Sequence, residues 1–354
     1  MSRVALIMAG GTGGHIFPGL AVAEGLREHG WRVHWLGAPA PSMESRLVPP
    51  KGIDLHAVDF GGLRGKGWRT KLLLPQRLWS ACLQSLRILK ELQPQVVVGL
   101  GGYISFPGGC MARWLGIPLV LHEQNAVAGM ANRWLARMAR RVFSAFPQAL
   151  PQGVWVGNPL RSEFLHQAPP DARFQGRQGP LNVLIVGGSL GAQALNQIVP
   201  QALALIPEGQ RPQVTHQSGA QQIDALRQAY AQAGVHAELT PFIDDTAAAF
   251  ARADLVICRA GASTVTELAA VGVASMLVPF PHAVDDHQTV NARFLADQGA
   301  AWLWPQPQLT AQALADRLRS VQRDELLQVA LKAHACRQTE ATEHMVQACE
   351  ELSA

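Results

Sequence analysis

Short runs of apolar, β-favouring residues alternate along this chain with longer stretches of helical periodicity. Val4–Ala9, Arg32–Leu36, Val96–Leu100, Leu119–His122 and Val142–Ser144 form one series; Asn182–Val186, Gln213–Gln217, Leu255–Cys258 and Ala274–Val278 form a second. Within the runs the apolar positions are continuous rather than alternate, as strands of a parallel sheet covered on both faces require. The pattern predicts an α/β chain of two doubly wound, Rossmann-like parallel-sheet domains. Each series opens on a strand that runs into glycines, Gly10-Gly11-Thr12-Gly13-Gly14 and Gly187-Gly188-Ser189-Leu190-Gly191, so the architecture reads as a duplication. At 354 residues the chain exceeds the size at which a single core keeps growing. A break near Gly157-Asn158-Pro159-Leu160 gives domains 1–160 and 161–337. From about Leu326 no strand follows, and a terminal helix at about 338–354 is expected to pack back on the first domain.

Charge changes this picture more than composition does. Hydrophobic residues at 48% and charged residues at 16% exclude disorder. The formal net charge of +4 conceals a polarity: residues 1–160 carry 17 Lys+Arg against 7 Asp+Glu, about +10, and the remainder about −6. The first half should meet something anionic. RNA-binding aromatic-glycine signatures and zinc-finger spacings are missing, so an anionic membrane surface or a phosphorylated acceptor fits better than nucleic acid. Five scattered cysteines without a C-x-x-C pair indicate neither a disulfide framework nor a zinc site, and point to a reducing compartment. Val4–Ala9 is too short for a signal segment and no apolar stretch reaches spanning length, so a cytoplasmic protein is expected.

A glycine loop between strand and helix lets the backbone approach a phosphate, while the helix start supplies N–H groups and partial positive charge. A tight βα turn would use the same glycines; the duplication and a third loop, Gly101-Gly102-Tyr103, favour ligand binding. NAD is disfavoured, because Gly11-Thr12-Gly13-Gly14-His15-Ile16 lacks the third glycine of G-x-G-x-x-G and Trp35-Leu36-Gly37 ends the second strand without an acid for the ribose. A Walker loop is absent. The richest segment is Arg259-Ala260-Gly261-Ala262-Ser263-Thr264-Val265-Thr266-Glu267, where a small-residue turn opens a helix. Its N–H groups suit a leaving diphosphate, and Glu267, one turn in, suits the vicinal hydroxyls of a ribose. The same letters also read as a capping box. Beyond Pro279-Phe280-Pro281-His282, Gln288 and Asn291 share a helix face that can read sugar hydroxyls. Asp285, Asp286 and His287 are adjacent, pointing different ways, and no D-x-D pair occurs, so no metal is expected.

In the first half, His122-Glu123-Gln124-Asn125 closes a strand at its carboxyl end, where open α/β sheets bind ligands. His15, at the mouth of the first glycine loop, reads equally as a general base and as a cap or phosphate contact. Arg64, Lys66, Arg69, Lys71 and Arg77 surround Trp68, Leu72, Leu73, Leu74 and Trp79, with no acid from Gly61 through Lys90, a mixture suited to an anionic membrane. Leu78, Cys82, Leu86 and Leu89 follow helical spacing and read as a buried face, which leaves the loop at 61–74 as the membrane candidate.

With these residues placed, the chain resembles, throughout its length, the MurG family of peptidoglycan lipid-intermediate N-acetylglucosaminyltransferases. The resemblance is carried by Gly10–Pro18, Gly101-Gly102-Tyr103, His122-Glu123-Gln124-Asn125, Gly157-Asn158-Pro159-Leu160-Arg161, Gly187–Ala192 and Asp286-His287-Gln288; Leu190 stands where glutamine is common. It implies a GT-B fold whose domains face a cleft, the first serving acceptor and membrane, the second holding the UDP-sugar. It also implies UDP-N-acetylglucosamine as donor and lipid I, the undecaprenyl-diphosphate-linked N-acetylmuramoyl pentapeptide, as acceptor, with lipid II as product. By the same resemblance donor contacts fall to Thr12, Gly13, Gly14, Asn125, Arg161, Ser189, Ile243, Ala262, Ser263, Thr264, Val265, Thr266, Glu267 and Gln288, with Phe242 and Ile243 against the uracil. The implied reaction inverts the anomeric centre, forms a β-1,4 linkage without a cofactor, and takes place peripherally at the cytoplasmic face of the inner membrane, beside other cell-wall synthesis proteins. His15 is the first candidate for the base and Glu123 the second. The alternatives are a UDP-N-acetylglucosamine 2-epimerase, which releases a changed free sugar, and a non-catalytic sugar-binding protein, which releases no UDP.

Overall fold

The computed structural model describes residues 3–61, 73–188 and 191–353. Arg64, Lys66, Trp68, Arg69, Lys71 and Leu72 of the expected membrane loop, and Ser189 and Leu190 of the second glycine loop, lie outside the described residues. The chain divides into two compact units, residues 1–161 with 338–354 and residues 162–337.

The first unit carries strands β1 Val4–Met8, β2 Arg32–Gly37, β3 Asp54–Ala57, β4 Val96–Gly99, β5 Leu119–Glu123, β6 Arg141–Ser144 and β7 Val154–Trp155. They form a 7-stranded sheet in the order β3-β2-β1-β4-β5-β6-β7, parallel throughout. The second unit carries β8 Asn182–Val186, β9 Gln213–Gln217, β10 Glu238–Thr240, β11 Leu255–Cys258, β12 Ala274–Leu277 and β13 Trp302–Leu303, a 6-stranded parallel sheet in the order β10-β9-β8-β11-β12-β13. Both orders reverse direction beside the first strand of the unit, at β1/β4 and at β8/β11. The carboxyl ends there form the crevice in which doubly wound sheets take ligands.

The continuous apolar runs have the cause expected of them. In β1, Ala5 and Ile7 pack into one cluster with Val22, Leu26 and Trp35, while Leu6 and Met8 pack on the opposite face with Leu89, Leu119 and Leu121. The helix Ala341–Ser353 returns to the first unit and completes the first of these clusters with Ala341, Met345, Val346 and Cys349. Gly25 makes room for it, since a Cβ there would stand 3.0 Å from Thr342 and 3.1 Å from Val346. Glu350 joins Arg3 and His29 at 3.2 Å each, fastening the helix at its outer end.

Four strands are not marked by the sequence pattern: β3, β7, β10 and β13. They are the four sheet edges. Their residues are exposed or half-buried, so no pressure keeps them apolar on both faces.

Candidate active site

In the first unit the helix Gly13–Glu28 starts on Thr12, whose backbone is extended and whose side chain makes no cap. Gly11 turns with φ +91°, a conformation that favours glycine. The first intrahelical contacts run from the His15 and Ile16 N–H groups to the Thr12 carbonyl, at 3.1 and 3.2 Å, so the amides of Gly13 and Gly14 precede them. Beneath this loop lies a carboxylate that the sequence pattern does not single out. Glu44, buried in the short helix Met43–Leu47, accepts from the Ala38 N–H at 3.0 Å and from the Gly11 N–H at 3.5 Å. The Glu44 carboxyl group thus occupies the Gly11 amide, at the other end of the loop from Gly13 and Gly14.

His15 points from the first turn of this helix to the end of β5. Its Nδ1 lies 2.7 Å from Gln124 Oε1. The Gln124 amide nitrogen donates to the His122 carbonyl at 2.9 Å and reaches His122 Nδ1 at 2.9 Å; His122 Nε2 faces the Gly157 carbonyl at 2.8 Å. Burial pushes the His122 imidazole down to about 4, so it is neutral near pH 7. Gly101, φ +90°, borders this group: a Cβ would stand 3.1 Å from the His15 ring and 3.3 Å from Gln124 Oε1. Gly102 lies against Gly10, whose carbonyl leaves no space for a side chain.

Glu123 has a different occupation from the basic one considered for it. It is buried, and its Oε1 accepts from the Asn125 N–H at 2.9 Å and from the Asn125 amide at 3.5 Å. Its Oε2 accepts from the Gly129 N–H at 3.1 Å and from Asn132 Nδ2 at 2.9 Å. Both oxygens hold the loop after β5 in shape and carry Asn125 with it. Arg161 ends the first unit with its guanidinium 5.2 Å from the centre of the Phe17 ring.

In the second unit the helix Ala262–Val271 follows β11. Gly261 is its N-cap and no side chain caps it, so the capping-box alternative is not realised. The first internal bond runs from the Val265 N–H to the Gly261 carbonyl at 2.9 Å, leaving the amides of Ala262, Ser263 and Thr264 ahead of it. Ser263 Oγ is buried without a hydrogen-bond partner. Thr266 instead turns its hydroxyl back onto the Ala262 and Ser263 carbonyls at 3.1 and 2.9 Å, and Val265 is fully buried and offers no polar side chain. Glu267 stands half-buried one turn in. The far end of the helix is clamped by Arg173, which donates to the carbonyls of Val271, Gly272 and Ala251 and places its charge at the negative pole.

Beside the second glycine loop, Gln217 at the end of β9 accepts from the Gly188 N–H at 3.0 Å and donates to the carbonyls of Gly188 and Pro241 at 3.1 and 3.0 Å. One side chain thus ties the second glycine loop to the segment that carries Phe242 and Ile243. Phe242 is exposed, its carbonyl accepts from Thr240 Oγ1 at 2.6 Å, and the Ile243 carbonyl meets Thr246 Oγ1 at 3.5 Å. Gln288 Oε1 accepts from the Phe280 N–H at 2.9 Å, which leaves its amide nitrogen as the group it can extend to a ligand. Asn291 departs from the expected sugar-reading face: it is fully buried and donates to the Ala260 carbonyl at 3.3 Å, bracing the turn. Gln217, Glu44 and Arg173 have no motif signal; only their contacts mark them. Among the described residues, no group of three or more His, Cys, Asp or Glu side chains is arranged to hold a metal ion.

The N-terminal domain of glycosyltransferase family 28 matches residues 5–144, and the C-terminal domain of the same family matches residues 182–348. The chain belongs to glycosyltransferase family 28. Family membership is accompanied by full-length relatives. A protein of Paracidovorax citrulli named UDP-N-acetylglucosamine--N-acetylmuramyl-(pentapeptide) pyrophosphoryl-undecaprenol N-acetylglucosamine transferase is 65% identical over 352 residues, 99% of either chain. A protein of the same name from a Polaromonas species is 64% identical over 99% of this chain and 92% of its own. The solved structure of Acinetobacter baumannii MurG aligns with TM-score 0.86 at 41% identity over 99% of both chains. The family 28 fold is GT-B, two parallel-sheet domains with flanking helices, and the chain is a glycosyltransferase.

Proposed function

We propose that this chain moves N-acetylglucosamine from UDP-N-acetylglucosamine to the C4 hydroxyl of an N-acetylmuramoyl pentapeptide carried on undecaprenyl diphosphate, with inversion and a β-1,4 linkage. The near-full-length identity to relatives named for this transfer carries the reading. The local chemistry supports it. In the second unit, the amides of Ala262–Thr264 with the unpartnered Ser263 hydroxyl suit a diphosphate, Glu267 suits the ribose, the Ile243 N–H suits the uracil edge, and Gln288 suits a sugar hydroxyl. In the first unit, Thr12, Gly13, Gly14, Asn125 and Arg161 suit further contacts to the donor.

The step is a direct displacement. His15 takes the proton of the acceptor hydroxyl as that oxygen attacks the anomeric carbon, and the bond to UDP breaks with its electrons on the diphosphate. Pre-oriented amides at the start of the Ala262–Val271 helix receive that charge, and one such donor is worth about 3 kcal/mol of barrier. Glu123 holds the loop that carries Asn125.

The acceptor is a lipid, and the first unit has the surface for one. Trp79 and Trp114 are 69% and 68% exposed, on the helices Leu74–Leu92 and Ser105–Trp114, which pack together. Leu83 lies one turn beyond Trp79, and Arg77, Arg87 and Arg113 are close in sequence. The sequence pattern points to the loop at 61–74 alone; the helix after it buries Ala81, Ser85 and Leu89 and turns Trp79 and Leu83 to solvent. Among the described residues no helix is long and apolar enough to cross a membrane. An amphipathic, cationic surface of this kind supports peripheral attachment to an anionic membrane, and the proposed site of action is the cytoplasmic face of the inner membrane.

The deciding experiment incubates purified protein with labelled UDP-N-acetylglucosamine and a lipid I analogue. Labelled disaccharide-pentapeptide lipid together with stoichiometric UDP is expected. A changed free sugar would replace the reading by an epimerase, and sugar binding without UDP release by a non-catalytic protein.

A further inference from the structure

His15 can act as a base only through a nitrogen that carries a lone pair, and in a neutral imidazole that is one of two. The groups around it decide which. Each remote contact of the chain ends on a backbone carbonyl, and a carbonyl can only accept. His122 Nε2 faces the Gly157 carbonyl at 2.8 Å, so the single proton of neutral His122 sits on Nε2 and its Nδ1 is an acceptor. The Gln124 terminus that contacts His122 Nδ1 and the His122 carbonyl, both at 2.9 Å, must then be the NH₂. The opposite terminus is the amide oxygen, and it lies 2.7 Å from His15 Nδ1. An oxygen there requires a proton on Nδ1.

We propose that Gln124 is a positioning residue that, oriented by His122, locks His15 in the Nδ1–H tautomer and leaves Nε2 as its basic nitrogen. The side chains are held for this task. His122 and Gln124 are buried, and flipping the Gln124 amide would set its oxygen against two acceptors, the His122 carbonyl and the His122 Nδ1 lone pair. The low value of His122 keeps it neutral, so that it does not gain a second proton and reverse the chain. Gly101 leaves the His15–Gln124 contact unobstructed. The same logic orients the histidine of a Ser-His-Asp triad through its Nδ1, with a neutral amide here in place of the carboxylate. An amide fixes the tautomer without adding negative charge beside an anionic acceptor.

The proposal bears on turnover through the reading of His15 as the base, but the tautomer is observable without turnover. Full-length protein labelled with ¹⁵N-histidine is examined above the titration of His15, whose signals are assigned by their loss in His15→Gln. Wild type should show a protonated, pyrrole-type Nδ1 and a lone-pair, pyridine-type Nε2. Gln124→Met should move His15 toward the Nε2–H form, and Gln124→Glu, which keeps an acceptor oxygen, should hold Nδ1–H. With UDP affinity of the second unit unchanged, kcat should fall on the order of a hundredfold in Gln124→Met and recover in part in Gln124→Glu. A wild-type His15 protonated on Nε2, or a Gln124→Met protein with the wild-type pattern, overturns the proposal. A tautomer that shifts while kcat stays at the wild-type level upholds the lock and removes His15 as the base.

Discussion

Glu123 and Asn132 are joined by a hydrogen bond of 2.9 Å, from the Asn132 amide to Oε2 of the buried carboxylate, and that oxygen also receives the Gly129 N–H. With the Asn125 N–H on the other oxygen, every contact of Glu123 is to a donor. Glu123→Gln places an NH₂ among those donors. It should lower the unfolding free energy by about 2 kcal/mol, the usual penalty for a buried group left mispaired, with no change in m-value. Urea unfolding checks this; wild-type stability would show that the loop does not depend on the carboxylate.

His15→Ala should reduce the chemical step by about 10²- to 10⁴-fold at saturating substrates, the range of general-base catalysis, and leave UDP affinity as it was. Single-turnover measurement isolates the step. A rate close to wild type would reduce His15 to a ligand contact.

Ser263 and Glu267 should separate binding from stability. The Ser263 hydroxyl has no partner, so Ser263→Ala should leave stability within about 0.5 kcal/mol while weakening UDP by about five- to tenfold. Glu267→Ala should weaken UDP at least about tenfold, as expected for hydrogen bonds to a charged group. Calorimetric titration reads both, and undiminished affinity in either variant would take that residue out of the donor site.

Acid should destabilise the fold through two buried histidines. Burial lowers His122 to about 4 and His216 to about 3. An unfolded histidine titrates near 6.5, so between that value and the folded one the unfolded chain binds more protons and stability rises with pH. It should therefore be lost as pH falls from about 6.5 toward 4, at up to ~1.4 kcal/mol per pH unit for each group. Urea unfolding from pH 7.5 to 4.5 measures the slope; His122→Gln should make it shallower, and an equal slope in that variant would assign the effect to other groups.

Membrane binding should need both apolar and cationic groups. Changing Trp79, Leu83 and Trp114 to serine should reduce partition onto vesicles containing anionic lipid, and neutralising Arg64, Lys66, Arg69 and Lys71 should do so most at low salt. Co-sedimentation reads both sets. Full binding by the serine variant would place the contact elsewhere.

The sequence by itself determined the central strands of both sheets, because strands buried on two faces are apolar at most positions. It also determined the glycine turns, since φ values near +90° at Gly11 and Gly101 and the close approach of Gly102 to the Gly10 backbone leave little choice of residue. The four edge strands, half solvated, carry no such imprint. What only the tertiary structure decided is the division of labour among polar residues that look alike in the chain. Glu123 and Asn291, legible as site residues, brace loops instead, Glu123 its own and Asn291 the turn at Ala260, while Glu44, Gln217 and Arg173, which carry no motif, act on loops far away in sequence. The direction of the His15–Gln124 hydrogen bond was likewise open until Gly157 came to lie beside His122. A side chain's task depends on which donors and acceptors remain unmet around it, and those are settled by long-range packing, not by its neighbours in sequence.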